Sequence, residues 1–248
     1  MSVRTATSTR GSSGPAIRVR CFKITHAKRY ISMDESSRQI AGFLGAAALT
    51  SSALTAAITI PSATAAPCPD VEVVFARGTN EPPGVGGVGQ AFADSLSSQV
   101  GGRSVGVYAV NYPATDAFAS SSAAGANDAS GHVQNMAANC PNTRMVLGGY
   151  SQGAVVMDLI TEAMPPDVAN HVAAVAVFGN PSGTSALSRT LSVGRPLPAI
   201  GPLYAPKTID MCVPGDPICS NGGTMAQHVL YVQNGMTNQA ATFAAGRL

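Results

Sequence analysis

The chain has 248 residues, of which only 11% are charged, and its formal net charge is +2. Soluble domains usually contain about 25% charged residues, so we expect a largely neutral surface with few ion pairs. Because a nucleic-acid-binding protein carries a basic face, the composition argues against that class, and the length allows one large domain or at most two.

The N-terminal part differs in charge from the rest of the chain. Residues 1–66 contain eight basic and two acidic residues, a net charge of +6, whereas residues 67–248 contain seven basic and eleven acidic residues, a net charge of −4. The run Ile40–Ile60 has no charged residue, and the small side chains that a signal peptidase reads follow at Ala63-Thr64-Ala65.

These features predict export. We expect a basic leader over residues 1–32, a signal peptide over residues 33–65 and one folded domain over residues 66–248. Two alternatives stay open: Met33 could be the true start, and the apolar run could be kept as a membrane anchor.

Apolar runs and helical patterns alternate after residue 70. The strand candidates are Val71–Ala76, Val105–Val110, Arg144–Gly149, Val172–Phe178 and Lys207–Met211. The helix candidates are Gln90–Val100, Ala123–Asn139 and Gln152–Met164. Several strands are apolar throughout, as expected where both faces are covered. The alternation predicts an α/β domain with a mainly parallel central sheet and helices on both faces.

A glycine-rich stretch, Gly84–Gly89, fits the G-x-G-x-x-G pattern of dinucleotide-binding turns. The preceding strand ends near Ala76, well before the first glycine, and no acidic ribose ligand stands near Asn111. We therefore interpret the stretch as a flexible loop and not as a dinucleotide site.

The strongest motif lies between the third strand and the third helix, where Gly149-Tyr150-Ser151-Gln152-Gly153 reads G-x-S-x-G. In a strand–turn–helix context this pattern indicates a nucleophilic serine on a tight turn that leaves no room for side chains at the two glycines. The helix that follows directs its first N–H groups to the same place, where they could stabilise an oxyanion.

A serine nucleophile needs a base that follows it in the chain, in the order Ser, Asp or Glu, His. His228 is the one histidine that follows Ser151 at a distance, since His171 opens a strand. His132 precedes the serine on a helix, and we interpret it as an ordinary solvated or satisfied side chain.

Five carboxylates lie between the serine and His228, and four of them are poorly placed. Asp158 and Glu162 are expected on the exposed face of the third helix, Asp167 at a helix end and Asp210 inside a strand. Asp216 follows the last strand at the sheet edge where such folds place ligands, and we predict it as the acid.

Four of the five cysteines fall in the folded domain: Cys68, Cys140, Cys212 and Cys219. An even number in an exported protein indicates two disulfides, with three possible pairings. The short spacing favours Cys212 with Cys219, which leaves Cys68 with Cys140. Zinc binding is the alternative, but the spacing lacks a C-x-x-C pair.

These residues resemble the cutinases, most closely the secreted actinobacterial cutinase-like esterases, over nearly all of residues 68–248. The matching segments are Cys68-Pro69-Asp70, Phe75–Glu81, Asn111-Tyr112-Pro113, Gly149–Gly153, Asp210–Cys219 and His228. The resemblance implies an α/β-hydrolase three-layer sandwich without a large lid. It also implies the disulfides Cys68–Cys140 and Cys212–Cys219.

The resemblance further implies a serine esterase that works without a metal or cofactor. The nucleophile would be Ser151, the acid Asp216 and the base His228, with an oxyanion hole at Thr79 and Gln152. We expect a secreted monomer that hydrolyses short- to medium-chain acyl esters or lipids, binds no nucleic acid and does not insert stably in a membrane after signal cleavage. The alternatives are an acetylxylan-type esterase and a non-catalytic cell-surface interaction protein.

One long connection bears on the substrate. Residues 180–206 carry six apolar side chains among several Pro and Gly residues: Leu187, Leu191, Val193, Leu197, Ile200 and Leu203. They could form an apolar flap beside the site that suits acyl chains, or they could simply pack on the core.

Overall fold

The fold is organised around one parallel β-sheet. The computed structural model describes residues 67–181 and 197–248. The strands in this part are β1 Val71–Ala76, β2 Val105–Ala109, β3 Arg144–Tyr150, β4 Val172–Phe178 and β5 Thr208–Met211. They pair in parallel in the order β2-β1-β3-β4-β5. The five predicted strands and the parallel sheet are therefore confirmed, with small shifts at the ends.

Six α-helices accompany the sheet in the described part of the chain. They are α1 Gly86–Gln99, α2 Phe118–Asn139, α3 Gln152–Ala163, α4 Pro166–Ala169, α5 Met225–His228 and α6 Met236–Ala245. A short 3-10 helix, Ala205–Lys207, precedes β5.

Helices cover both faces of the sheet. Because successive side chains of a strand point to opposite faces, one strand contributes to a core cluster on each side. Val73 and Phe75 of β1 join a core cluster with Phe92 of α1 and with the inner face of α6. Val74 faces the other way, into a cluster with α2, α3 and α4. The result is an α/β-hydrolase-like sandwich of three layers, in agreement with the fold class expected from the sequence.

The last four residues of the glycine-rich stretch, Gly86–Gly89, are helical, so the expectation of a loop is wrong for them. Helix α1 begins at Gly86, four residues before the predicted start. A Cβ atom on Gly89 would lie 2.5 Å from the ring of Phe75, so glycine allows the first turn of α1 to pack directly on the sheet. The glycines therefore serve close packing as well as turning.

Other helices differ from the prediction because their buried faces consist of small side chains, which give no strong apolar pattern in the sequence. Helix α2 begins at Phe118, five residues before the predicted start, and buries Ser121 and Ser122 in its first two turns. Helix α6, which the sequence analysis did not predict, buries Ala240, Ala241 and Ala244. The four-residue helix α5 was also not predicted.

Two disulfides are present, with the expected pairings. Cys68–Cys140 ties the chain just before β1 to the end of α2, with a Cα–Cα distance of 5.6 Å. Cys212–Cys219 closes the loop that follows β5, with a Cα–Cα distance of 5.9 Å.

Several predictions fall on residues outside the described part. The basic leader and the signal peptide, residues 1–65, lie there, as do residues 182–196 of the predicted flap. The described end of that connection packs on the core at Ile200, while the Gly201 N–H donates to Thr161 Oγ1 at 3.1 Å. Among the described helices, none has the length and hydrophobicity to cross a bilayer.

Replacing each disulfide by a pair of alanines should lower stability according to the size of its loop. The separation is 72 residues for Cys68–Cys140 and 7 for Cys212–Cys219. The loop-entropy model gives losses of about 4 and about 2 kcal/mol in the free energy of unfolding. Urea unfolding of both double variants measures these losses, and an equal or larger loss for the short loop would contradict the prediction.

Candidate active site

The predicted nucleophile lies on a tight turn between β3 and α3. Ser151 has a positive φ of 56° and donates its backbone N–H to the Phe178 carbonyl at 2.8 Å. A Cβ on Gly149 would lie 2.1 Å from the Gly153 carbonyl oxygen, and a Cβ on Gly153 would lie 1.9 Å from that of Ala76. Both glycines are therefore required by backbone contacts, which agrees with the steric reason predicted from the motif.

The predicted acid and base form a buried, hydrogen-bonded pair. Asp216 Oδ2 lies 2.7 Å from His228 Nδ1, and the two residues are 0% and 5% exposed. Asp216 follows β5 inside the disulfide loop, whereas His228 is the last residue of α5. Since Nδ1 faces the carboxylate, Nε2 is the ring nitrogen left for a substrate or a nucleophile.

The carboxylate has three hydrogen-bond donors. Besides His228, the Tyr231 hydroxyl donates to Oδ2 at 2.5 Å and the Ile218 N–H donates to Oδ1 at 2.9 Å. Burial by itself raises the pKa of Asp216, but the hydrogen bonds of these three residues and the charge of His228 outweigh it and hold the pKa below its ordinary value. Asp216 is therefore ionised at neutral pH in spite of its burial.

Ser151 and His228 line the same cavity, which has a volume of about 450 Å³. The other lining residues are Thr79, Asp116, Phe118, Tyr150, Pro181, Ile218 and Met225. Within the described part of the chain no hydrogen bond joins the Ser151 hydroxyl to His228. Such contacts are often loose in a site without substrate.

The loop after β1 carries Thr79 to the rim of the cavity. Its Glu81 carboxylate accepts from the Gly78 N–H at 2.6 Å and from the Gly87 N–H at 3.0 Å, so it joins the loop to the first turn of α1. The neighbouring Asn80 N–H donates to the Ala114 carbonyl at 2.7 Å. The backbone N–H of Thr79 has no hydrogen-bond acceptor within residues 67–181 and 197–248.

The Arg77 side chain holds the same loop in place through hydrogen bonds. The guanidinium is buried and donates to the carbonyls of Glu81 at 2.8 Å and Tyr112 at 2.7 Å. The Tyr112 hydroxyl in turn donates to the Arg77 carbonyl. All three residues stand in the segments that carry the family resemblance, but no role was predicted for any of them.

The second predicted oxyanion-hole residue, Gln152, is fully buried at the start of α3. Its side chain donates to the Thr115 carbonyl at 2.9 Å and accepts from the Ser121 hydroxyl at 3.1 Å. The side chain therefore holds the start of α2 against α3. The backbone N–H belongs to the first turn of the helix, where such groups have no partner inside the helix.

Tyr150, the last residue of β3 and the residue before the serine, contacts His228 through both its ring and its hydroxyl. Its ring stacks on the imidazole with centroids 4.9 Å apart, and its hydroxyl donates to the His228 carbonyl at 2.7 Å. No role was predicted for Tyr150, because a contact with a residue 78 positions away leaves no local pattern in the sequence. Tyr231 was not predicted to have a role either.

The other polar candidates are accounted for, with one correction. The expectation that Asp158 is exposed is wrong: it is fully buried, and its carboxylate accepts from the Asn180 amide at 3.2 Å. Glu162 is exposed as expected. His132 is a satisfied side chain, with Nε2 lying 3.0 Å from the Glu72 carboxylate.

Comparison with known proteins identifies the class of enzyme. Carboxylesterase Culp1 of Mycobacterium tuberculosis is 64% identical over 187 residues, which cover 75% of this chain and 85% of that protein. Phospholipase Culp4 of the same organism is 48% identical over 223 residues, which cover 86% of this chain and 93% of that protein. Together with the fold, these likenesses define a carboxylic ester hydrolase.

The particular family is also clear. The sequence model of the family described as Cutinase matches residues 67–248. The solved structure of Trichoderma reesei cutinase in complex with a C11Y4 phosphonate inhibitor has 34% sequence identity and a TM-score of 0.59, and the match covers 73% of this chain and 77% of that chain. The chain belongs to the cutinase family.

The Glu81→Ala substitution should release the loop that carries Thr79, since two backbone N–H groups lose their acceptor. We expect kcat for an activated ester to fall between about 10- and 100-fold with little change in KM. The free energy of unfolding should fall by about 1–3 kcal/mol. Glu162→Ala is the matched control, because it removes an exposed carboxylate from α3. If kcat of Glu81→Ala equals that of the control, the loop does not depend on this carboxylate.

Proposed function

We propose that this protein is a secreted serine esterase in which Ser151, Asp216 and His228 act as nucleophile, acid and base. The observation that carries the proposal is their arrangement around one cavity. Ser151 stands on a turn with φ of 56°, and His228 lines the same cavity with its Nδ1 held at 2.7 Å by the buried Asp216. A serine hydroxyl needs such an oriented base before it can attack an ester.

The reaction would proceed in two acyl-transfer steps. His228 accepts the hydroxyl proton of Ser151 at Nε2 while the serine oxygen attacks the ester carbonyl. The resulting tetrahedral intermediate collapses, the alcohol leaves with the proton from His228, and the acyl group stays on Ser151. Water then attacks the acyl-enzyme by the same route and releases the acid. Asp216 stays ionised and stabilises the imidazolium that forms twice in the cycle.

The oxyanion of each intermediate would be held by the backbone N–H groups of Gln152 and Thr79, with the Thr79 hydroxyl as a third donor. The first turn of α3 supports this role of Gln152, because helix N-termini favour negative charge. The bonds of Glu81 and Arg77 support that of Thr79, because they hold its loop in place before substrate arrives. Preorganised donors of this kind typically contribute about 3–4 kcal/mol each to catalysis.

The lining of the cavity supports acyl esters as substrates over acetylated sugars. Phe118, Ile218 and Met225 present apolar surface beside Ser151 and His228. An acetyl-sugar ester would bring a hydroxyl-rich ring, which needs several polar partners, whereas Thr79 and Asp116 are the polar side chains available at the rim. We therefore propose short- to medium-chain acyl esters or lipids, and retain acetylxylan-type substrates as the alternative.

The two disulfides support the secreted part of the proposal. Two disulfides persist in an oxidising compartment, and the predicted signal peptide over residues 33–65 would deliver the domain there. The two mycobacterial relatives are named as a carboxylesterase and a phospholipase, which favours an enzyme over a non-catalytic interaction protein.

Replacing the nucleophile tests the mechanism. Ser151→Ala should lower kcat for p-nitrophenyl butyrate hydrolysis by at least about 1,000-fold, because no acyl-enzyme is formed. It should also abolish covalent labelling by a serine-directed phosphonate. The free energy of unfolding measured in urea should stay within about 1 kcal/mol of the parental value. Ser98→Ala, on the exposed face of α1, is the control that keeps full activity and labelling. Hydrolysis or labelling retained by Ser151→Ala would exclude this mechanism.

A series of p-nitrophenyl esters from acetate to palmitate tests the substrate class. An apolar cavity predicts that kcat/KM rises from the acetyl ester to esters of about four to eight carbons, because each buried methylene contributes about 0.8 kcal/mol. Acetylated xylan is the matching test of the alternative. A maximum at acetate together with release of acetate from xylan would favour the carbohydrate esterase.

A further inference from the structure

Tyr231 is a fully buried tyrosine whose hydroxyl meets the proposed catalytic acid. It donates to Asp216 Oδ2 at 2.5 Å, the same oxygen that lies 2.7 Å from His228 Nδ1. The other carboxylate oxygen, Oδ1, accepts from the Ile218 N–H at 2.9 Å. The phenol is thus the only side chain of the described part, apart from His228, that bonds this carboxylate.

The same hydroxyl reaches both ends of the disulfide loop. The Val213 N–H points to it at 3.5 Å, and Cys219 Sγ lies 3.5 Å away. One atom of Tyr231 therefore touches the loop before, at and after Asp216. The loop can change the direction of its carboxylate only if it breaks these contacts.

The ring is itself locked in place by aromatic packing. It meets Phe178 edge-on with centroids 6.0 Å apart, Tyr150 at 5.7 Å and the imidazole of His228 at 6.2 Å. Gly179, with φ of 59°, leaves the space that this arrangement needs. A Cβ there would lie 2.9 Å from the Tyr231 hydroxyl and 2.7 Å from His228 Cε1.

Few charged or titratable groups face this phenol. Asp216 and His228 lie on one side, Tyr150 of β3 packs on another, and Glu81 acts on Tyr150 from beyond it. Burial, the hydrogen bond to Asp216 and the charge of that carboxylate all raise the pKa of Tyr231. The hydroxyl therefore keeps its proton and stays a donor throughout the working pH range.

We propose that Tyr231 is a positioning residue for the esterase reaction, which orients the Asp216 carboxylate toward His228 and shares part of its negative charge. The proposal rests on the function proposed above, because it gives Tyr231 a role only through Asp216 and His228. Tyr231 is not among the residues that line the cavity, so we expect it to make no contact with substrate. Its effect should therefore fall on kcat and on the pH dependence, and not on KM.

The sign of the pH effect follows from the charge on Asp216. Without the phenol, this carboxylate has one donor fewer, so more of its negative charge faces the imidazole. The imidazole of His228 then stays protonated up to a higher pH. The neutral form that activates Ser151 is therefore reached only at a higher pH. The acid limb of the kcat/KM profile should therefore move to higher pH when the hydroxyl is removed.

Tyr231→Phe tests the proposal because it removes the hydroxyl and keeps the ring. We expect kcat for p-nitrophenyl butyrate to fall about tenfold, KM to stay within about twofold, and the acid limb of kcat/KM to move upward by about half a pH unit or more. Rates are expressed per site labelled by the phosphonate, so that misfolded protein does not count. Circular dichroism and thermal unfolding report the fold.

Tyr204→Phe is the matched control. Tyr204 is also fully buried, but it lies in the core cluster on the other face of the sheet, and its hydroxyl has no hydrogen-bond partner among the residues described. Its loss should leave kcat and the pH profile unchanged.

The outcomes separate the two proposals. The role of Tyr231 is overturned if Tyr231→Phe keeps the parental kcat and pH profile, or if it only unfolds at a lower temperature while the acid limb does not move. Either result leaves the esterase mechanism intact, provided that Ser151→Ala is inactive. Activity retained by Ser151→Ala overturns the mechanism itself. A tenfold fall in kcat with the shifted limb, absent in Tyr204→Phe, supports the positioning role.

Discussion

The architecture depends on the direct backbone contact between α3 and the sheet. Gly153 packs on the Ala76 carbonyl so closely that a Cβ would lie 1.9 Å from its oxygen. This contact allows the chain to turn from β3 into α3 within one residue and leaves Ser151 at a positive φ. Because all five strands are parallel, their carboxyl ends share one edge, and the loops after β1 and β5 are brought to the same serine.

A buried carboxylate imposes the second constraint. A charge without solvent must be balanced by hydrogen bonds, and Asp216 obtains them from its own loop, from α5 and from the segment after α5. The same bonds that make its burial tolerable also fix its direction toward His228. Stability and the proposed chemistry therefore depend on one set of contacts, and the Cys212–Cys219 disulfide holds the loop on which they converge.

Local patterns predicted the elements whose signal is carried by consecutive residues. The central strands β1, β3 and β4 were found because a strand covered on both faces must be apolar throughout, and the turn at Ser151 was found because its glycines are sterically required. The burial of Asp158 was not found, since α3 is enclosed on more sides than its amphipathic pattern suggests and Asn180 approaches it from the end of β4. Helix α6 was not found for a different reason, because its buried face consists of alanines, which give no strong apolar pattern.

The sequence by itself determined the family, the order of the five strands and of helices α1, α2 and α3 along the chain, the disulfide pairs that the resemblance implied, and the identities of the residues proposed for catalysis. Only the tertiary structure decided which ring nitrogen of His228 faces Asp216, how Glu81 and Arg77 hold the loop of Thr79, and that Tyr150 and Tyr231 enclose the imidazole. For two of these contacts the physical reason is distance along the chain, since Tyr150 meets His228 across 78 residues and Arg77 meets Tyr112 across 35. For the contacts within one loop, such as Glu81 with Gly78, the reason is that the loop conformation is set by the segments it packs against, and no motif records it.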